Sequence, residues 1–175
     1  MKILKNIFLA LSFLPILGTA ADLSPKEEKE LSEQVGSIFI AYENDDVDKI
    51  VKMTIKPIVT MSGGTEAMKS MIYKSLNAQK NAGISIESTS IGKPTEPIVA
   101  GDDIFTFIPK ITIMKSPGKR VKSTSFMIAS RGINDKDWYF MDASGLRKNP
   151  GMLYVIFPKL PKDIVLPSNN IEFIQ

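Results

Sequence analysis

The chain has no cysteine and no histidine, and it has a single tryptophan. Without histidine there is no Ser-His-Asp triad and no histidine-bearing zinc site; without cysteine there is no thiol nucleophile and no disulfide. Any general acid or base must be Asp, Glu, Lys or Tyr. A strong excess of one charge is also missing. The 22 basic and 19 acidic residues include Lys2 and Lys5 at the N-terminus. Without residues 1–20 the net charge falls to about +1, so charge alone gives no reason to expect a nucleic-acid binder. No carboxylate group has the spacing of a calcium loop, and no metal or cofactor is indicated.

What is present begins with an export pattern. Met1-Lys2-Ile3-Leu4-Lys5 is positive, Ile7 to Leu17 is apolar apart from Ser12 and Pro15, and Gly18-Thr19-Ala20 supplies small residues. That order predicts a signal peptide over residues 1–20, and hence a periplasmic or secreted protein. The apolar run is about 11 residues where a membrane span needs about 20, so no integral span is expected once the leader is removed. The absence of a following cysteine excludes a lipoprotein anchor. The remaining chain suits one domain, residues 21–145, with a packed arm over 146–175.

Along that domain the period is first helical. Ser24-Pro25-Lys26-Glu27 is a capping box with proline at the first turn, and Leu31, Val35, Ile38, Phe39 and Tyr42 recur at helical spacing. Asn44-Asp45-Asp46 ends that helix and caps a shorter one with Val47, Ile50 and Val51 inside; Lys56-Pro57 is read as its stop. Ser62-Gly63-Gly64-Thr65 is a turn and cap, not a phosphate loop, since the further glycines and the lysine are missing. The third helix, to about Asn81, has Met68, Met71, Ile72 and Leu76 inside. From Ile84 the period becomes two. Strands are expected over 84–89, 103–114 (with a bulge or edge position at Pro109), 120–131 and 138–142, joined antiparallel by short turns.

Three helices followed by an antiparallel meander is an order similar to the nuclear-transport-factor-2-like superfamily, which includes ketosteroid isomerase-like and SnoaL-like proteins. The resemblance rests on Asp45-Asp46, Gly63-Gly64, the strand Ile104-Phe105-Thr106-Phe107-Ile108-Pro109 and Trp138-Tyr139-Phe140-Met141-Asp142, and it covers residues 24–142. It implies an α+β fold in which a curved antiparallel sheet wraps helices into a cone with a pocket, and in which pairing of sheets can give a homodimer. It says little about chemistry, because such folds host enzymes and binding modules alike. The dehydratases of the group use histidines that this chain lacks; the isomerases use a tyrosine and two acids.

Candidate pocket residues are Tyr42, Tyr73, Phe105, Phe107, Trp138, Phe140 and Asp142. Asp142 alternates onto the face of Trp138 and Phe140. There it is either a base with a raised pKa or a strand-end cap for Ala143-Ser144-Gly145. Tyr42 and Tyr73 could turn hydroxyls inward or be core-edge aromatics. Lys110 and Arg120, with Asp103 or Glu87, are either an anion site or exposed cross-strand pairs. Met53, Met61, Met68 and Met71 are either an adaptable apolar lining or core filler.

With no catalytic constellation, the expected function is an exported, non-enzymatic module that holds a small apolar ligand or an exported partner protein in or beside the cone. Alternatives are a lyase or isomerase using Asp142 and a tyrosine, and an inhibitor or accessory subunit that makes contact through the arm.

Overall fold

The computed structural model describes residues 22–175; residues 1–20, which the sequence pattern predicts to be a signal peptide, lie outside the described residues. Four helices precede the sheet: α1 (Pro25–Glu43), α2 (Val47–Lys52), α3 (Lys56–Met61) and α4 (Thr65–Asn81). Six strands follow: β1 (Ser85–Ile91), β2 (Ile98–Ala100), β3 (Asp103–Ser116), β4 (Lys119–Gly132), β5 (Tyr139–Asp142) and β6 (Asn170–Ile174). A 3-10 turn (Ala143–Lys148) and α5 (Met152–Ile156) lie between the last two strands. The fold is α+β with a curved, open antiparallel sheet.

The local starts follow from residue chemistry. Ser24 and Glu27 cap each other's backbone at the head of α1, and Asp46 accepts from Lys49 N–H to cap α2. Three expectations need correction. The helices that precede the sheet number four, not three. Pro57 does not stop a helix but sits in the first turn of α3, where a missing N–H costs nothing. The arm, for which the sequence predicts no strand, ends in β6 on the edge of β4.

β3 and β4 pair along their whole length, Asp103 with Gly132 through Ser116 with Lys119, and turn at Pro117-Gly118, with Gly118 at φ 73°. Both β1 and β2 pair with the far edge of β3, one on residues 110–115 and the other on 103–105. The outer edge of β4 is likewise shared, by β5 at 127–130 and β6 at 120–124. Pro109 introduces no bulge, because its pairing with Phe126 lies within an unshifted register. It falls in the gap between β1 and β2, where Gly92 donates to its carbonyl and Thr95 serves both backbone groups of Phe107. A proline is tolerated there because no strand needs its N–H.

Each face of this ladder carries its own core. On the helix face, Leu31, Val35 and Ile38 of α1 pack with Ile108, Met127, Ala129, Trp138 and Phe140. On the arm face, Leu146, Leu153, Ile156, Phe157 and Leu160 pack with Phe105, Phe107, Phe126 and Ile128. Phe157 meets the Phe105 ring edge-on at 5.2 Å. Arg131 clamps the head of α1 by pairing with Glu27 while its guanidinium lies over the Trp138 ring. α4 has no buried residue and packs on α2 and α3, belonging to neither core.

The arm is thus part of the core. Phe157→Ala is expected to destabilise the protein by about 3–5 kcal/mol in chemical denaturation, as for any large buried aromatic. A loss under 1 kcal/mol would show that the arm is an appendage.

Candidate functional site

Antiparallel pairing puts partners on one face, so the register sorts the candidate residues. Ala129 with Phe140 and Met127 with Asp142 lie on the helix face, as does Lys110 opposite Ser125. Phe105 and Phe107 project from the other face into the arm core. The sheet therefore separates Phe105 and Phe107 from Trp138, Phe140 and Asp142. Phe107, Phe140 and Trp138 are all buried in side-chain packing. Tyr73 is 53% exposed on α4 and takes no part in either core. Met61 and Met71 are exposed as well, whereas Met53 packs partly against the helix-face core.

Two of the candidates, Tyr42 and Asp142, lie within electrostatic reach of each other. Tyr42, in the last turn of α1, has its phenol pushed up to about 12 by burial of its hydroxyl end and by the negative charge of Asp142. Some of the Tyr42 side chain still reaches solvent. Asp142 is held on both oxygens: one accepts from Ser144 N–H at 2.8 Å, the other pairs with the Lys110 ammonium. Burial pushes its carboxyl up, but the Lys110 charge and hydrogen bond and the Ser144 amide outweigh this. The net position is below the ordinary aspartate value. The raised pKa considered for a base is corrected by an ion pair that the linear sequence did not link to Asp142. The capping role is present.

Lys110 and Arg120 do not share a site. They are offset by five residues along the ladder, about 17 Å at strand rise. Arg120 instead grips Glu87 through two nitrogens at 2.9 and 3.0 Å, an exposed cross-strand pair.

A hollow lies elsewhere, where α2, α3 and the start of α4 meet Tyr139. It is an open cleft of about 530 Å³. Val51, Val59 and the Tyr139 ring give it an apolar wall, and Thr54, Thr60 and Thr65 contribute hydroxyls. Its cations are Lys52, Lys56 and Lys69. Lys69 is held by Asp48 at 2.7 Å and Glu66 at 3.1 Å, and these hydrogen bonds raise its pKa. Lys56 lies over the Tyr139 ring, 5.3 Å from its centroid. Lys52 and Lys56 have no carboxylate within salt-bridge distance among the described residues. A smaller hollow of about 120 Å³ has Phe105, Arg131, Tyr139 and Phe157 in its lining. None of the seven sequence candidates lines the larger cleft. The i, i+4 spacing of Lys52 and Lys56 was visible, but not the break between α2 and α3 that opens the cleft beside them.

No protein-family model, no curated protein and no solved structure matches this chain. Among the described residues, no helix is long and apolar enough to cross a membrane.

Because the folded Asp142 binds its proton more weakly than the unfolded chain, its contribution is present above the ordinary aspartate value of 3.8 and is lost as pH falls through the lower folded value. Acid unfolding of the wild type is expected to show a steeper loss of stability between about pH 2 and 5 than Asp142→Asn. Asp142→Asn is also expected to cost more at neutral pH than Lys110→Met, since it strands a buried ammonium. Equal slopes and the reverse order of cost would refute the ion-pair account.

Proposed function

We propose that this chain is an exported, non-enzymatic binding module of nuclear-transport-factor-2-like architecture, and that its ligand is a small molecule with an apolar body and an anionic group, held in the cleft beside Tyr139. The observation that carries the reading is the cleft itself. It has an aliphatic and aromatic wall, and two lysines at its rim are without a carboxylate partner among the described residues. An anionic group gains charge-assisted hydrogen bonds from such lysines, while the apolar body leaves water against Val51, Val59 and Tyr139. Export is supported by the order of charge, apolar run and small residues in 1–20. The architectural reading is supported by helices that precede an antiparallel sheet. It is further supported by the parallel bridge from Thr54 to Phe140, which ties the α2–α3 junction to β5.

The isomerase alternative is disfavoured by the state of Asp142. Tyr42 lies close enough to feel its charge, but an aspartate with both oxygens engaged and a lowered pKa is a weak base at neutral pH. The accessory-subunit alternative needs an arm free to make contacts; Leu146, Leu153, Ile156, Phe157 and Leu160 of the arm are committed to the core, while Val155, Val165, Ile171 and Phe173 stay exposed.

Anilinonaphthalene sulfonate carries the required pair of groups and is a suitable probe. The native protein is expected to bind it saturably with enhanced fluorescence. Lys56→Glu and, separately, Val59→Trp are expected to weaken binding about tenfold, corresponding to about 1.4 kcal/mol, with the circular dichroism unchanged. Binding indifferent to both substitutions, or no binding by the native protein, would remove the cleft from the account.

A further inference from the structure

The smaller hollow lies on the arm face, at the end of the ladder away from the β3–β4 turn. Phe105, Ser130 and Tyr139 run across its floor, set side by side on three strands by the register. One row further out, Asp103 lies opposite Gly132. Ile55, Pro57 and Phe157 add an apolar wall. Its volume of about 120 Å³ is several times what a single water needs.

Three polar side chains face this space without a partner. Ser130 is only 8% exposed, yet its hydroxyl enters no hydrogen bond among the described residues. The unpaired side-chain atoms that are sealed from solvent belong to Ser125, Arg147 and Asn169. Ser130 Oγ is not one of them, so its free valence opens to the hollow that the residue lines. Asp103 and Asp135 also line the hollow, and neither forms a salt bridge among the described residues. The Asp135 carboxylate folds back onto Gly132, where a Cβ would stand 2.5 Å from one of its oxygens. That Cβ position is about 5 Å from the Asp103 Cβ across the ladder and about 7 Å from the Ser130 Cβ along it. Two carboxylates and a hydroxyl thus surround one end of an apolar hollow.

The charges of the lining do not balance. Arg131 is committed to Glu27, to the Asp135 carbonyl at 2.7 Å and to the Trp138 ring. Lys56 is then the one remaining cation of the lining, set against Asp103 and Asp135, which leaves a surplus of one negative charge.

We propose that this hollow binds a small primary alkylammonium ion. Such an ion carries one positive charge and three N–H donors. The donors go to Asp103, Asp135 and Ser130 Oγ, and the charge cancels the surplus. The alkyl chain leaves water against Ile55, Phe105 and Phe157. A metal ion is short of ligands here, because no group of three acidic side chains able to hold one is present among the described residues. Lys56 and Tyr139 border both this hollow and the cleft, but the cleft reading concerns an anion and can fail without touching this one.

The test is a titration of the purified protein with propylammonium chloride, followed by amide NMR shifts, with sodium chloride holding the ionic strength constant. Saturable shifts are expected at Asp103, Ser130, Gly132 and Asp135. Tetramethylammonium has the charge but no N–H, and is expected to bind about tenfold more weakly or worse. Asp135 is exposed, so Asp135→Asn is expected to leave the circular dichroism unchanged while weakening propylammonium about tenfold. Asp103→Asn is expected to act alike. Gly132→Ala keeps every charge but pushes the Asp135 carboxylate aside, and is expected to weaken binding too. Val59→Trp, in the cleft, is expected to leave propylammonium binding intact. The proposal is overturned by an absence of saturable shifts, by tetramethylammonium binding as tightly as propylammonium, or by an affinity that survives both Asp103→Asn and Asp135→Asn.

Discussion

The fourteen-residue antiparallel ladder between β3 and β4 is the constraint on which the rest of the molecule depends. Every other strand of the sheet pairs with one of these two, and both cores are assembled on their faces. Such a long two-stranded ribbon has little stability alone; it needs a covered face. Here two distant parts of the chain provide cover on opposite sides, α1 from the N-terminal region and α5 with its flanking loops from the C-terminal one. Burial on both faces explains why β4 reads as a nearly unbroken buried run from Ser125 to Arg131 instead of a clean alternation.

That cover is uneven, and the proposed function rests on the unevenness. Near β5 the helix face is closed by Leu31, Val35 and Trp138. Towards the β3–β4 turn the same face changes to Lys110, Thr112, Ser123 and Ser125, side chains that burial makes costly unless something answers them. Asp142 answers Lys110, and in doing so gives up the free, weakly solvated carboxylate that base chemistry would require. α4, packed on α2 and α3 but on neither core, leaves the open cleft at its start. A rigid ladder with open margins suits the proposed role of holding a ligand, with recognition at the margins and stability in the ladder.

Local chemistry was the legible part of this sequence. The capping box at Ser24, the Asp46 cap, the Gly63-Gly64 turn, the Pro117-Gly118 turn and the period-two runs each act within a few residues, and each is where the pattern put it. The facing of Trp138, Phe140 and Asp142 was also legible, because alternation is strict. Which face α1 would choose was not, so Phe105 and Phe107 were grouped with residues from which the sheet divides them. Lys110 and Asp142 are 32 positions apart and join only through the β3–β4–β5 register. β2 and β6 are short edge strands recruited by an existing ladder, with little pattern of their own. Pro57 reads as a stop from sequence because proline is compatible both with the first turn of a helix and with the residues just beyond a helix end; here it lies in the first turn of α3, after the Thr54–Phe140 bridge.

Native-state hydrogen exchange measures the central claim most directly. If the doubly covered ladder is the scaffold, the amides of β4 from Phe126 to Ala129 that bond across it exchange only through global unfolding, with the full unfolding free energy. Those of α4 exchange through cheaper local opening. Protection in α4 equal to that of β4, or β4 amides exchanging by local opening, would contradict the account.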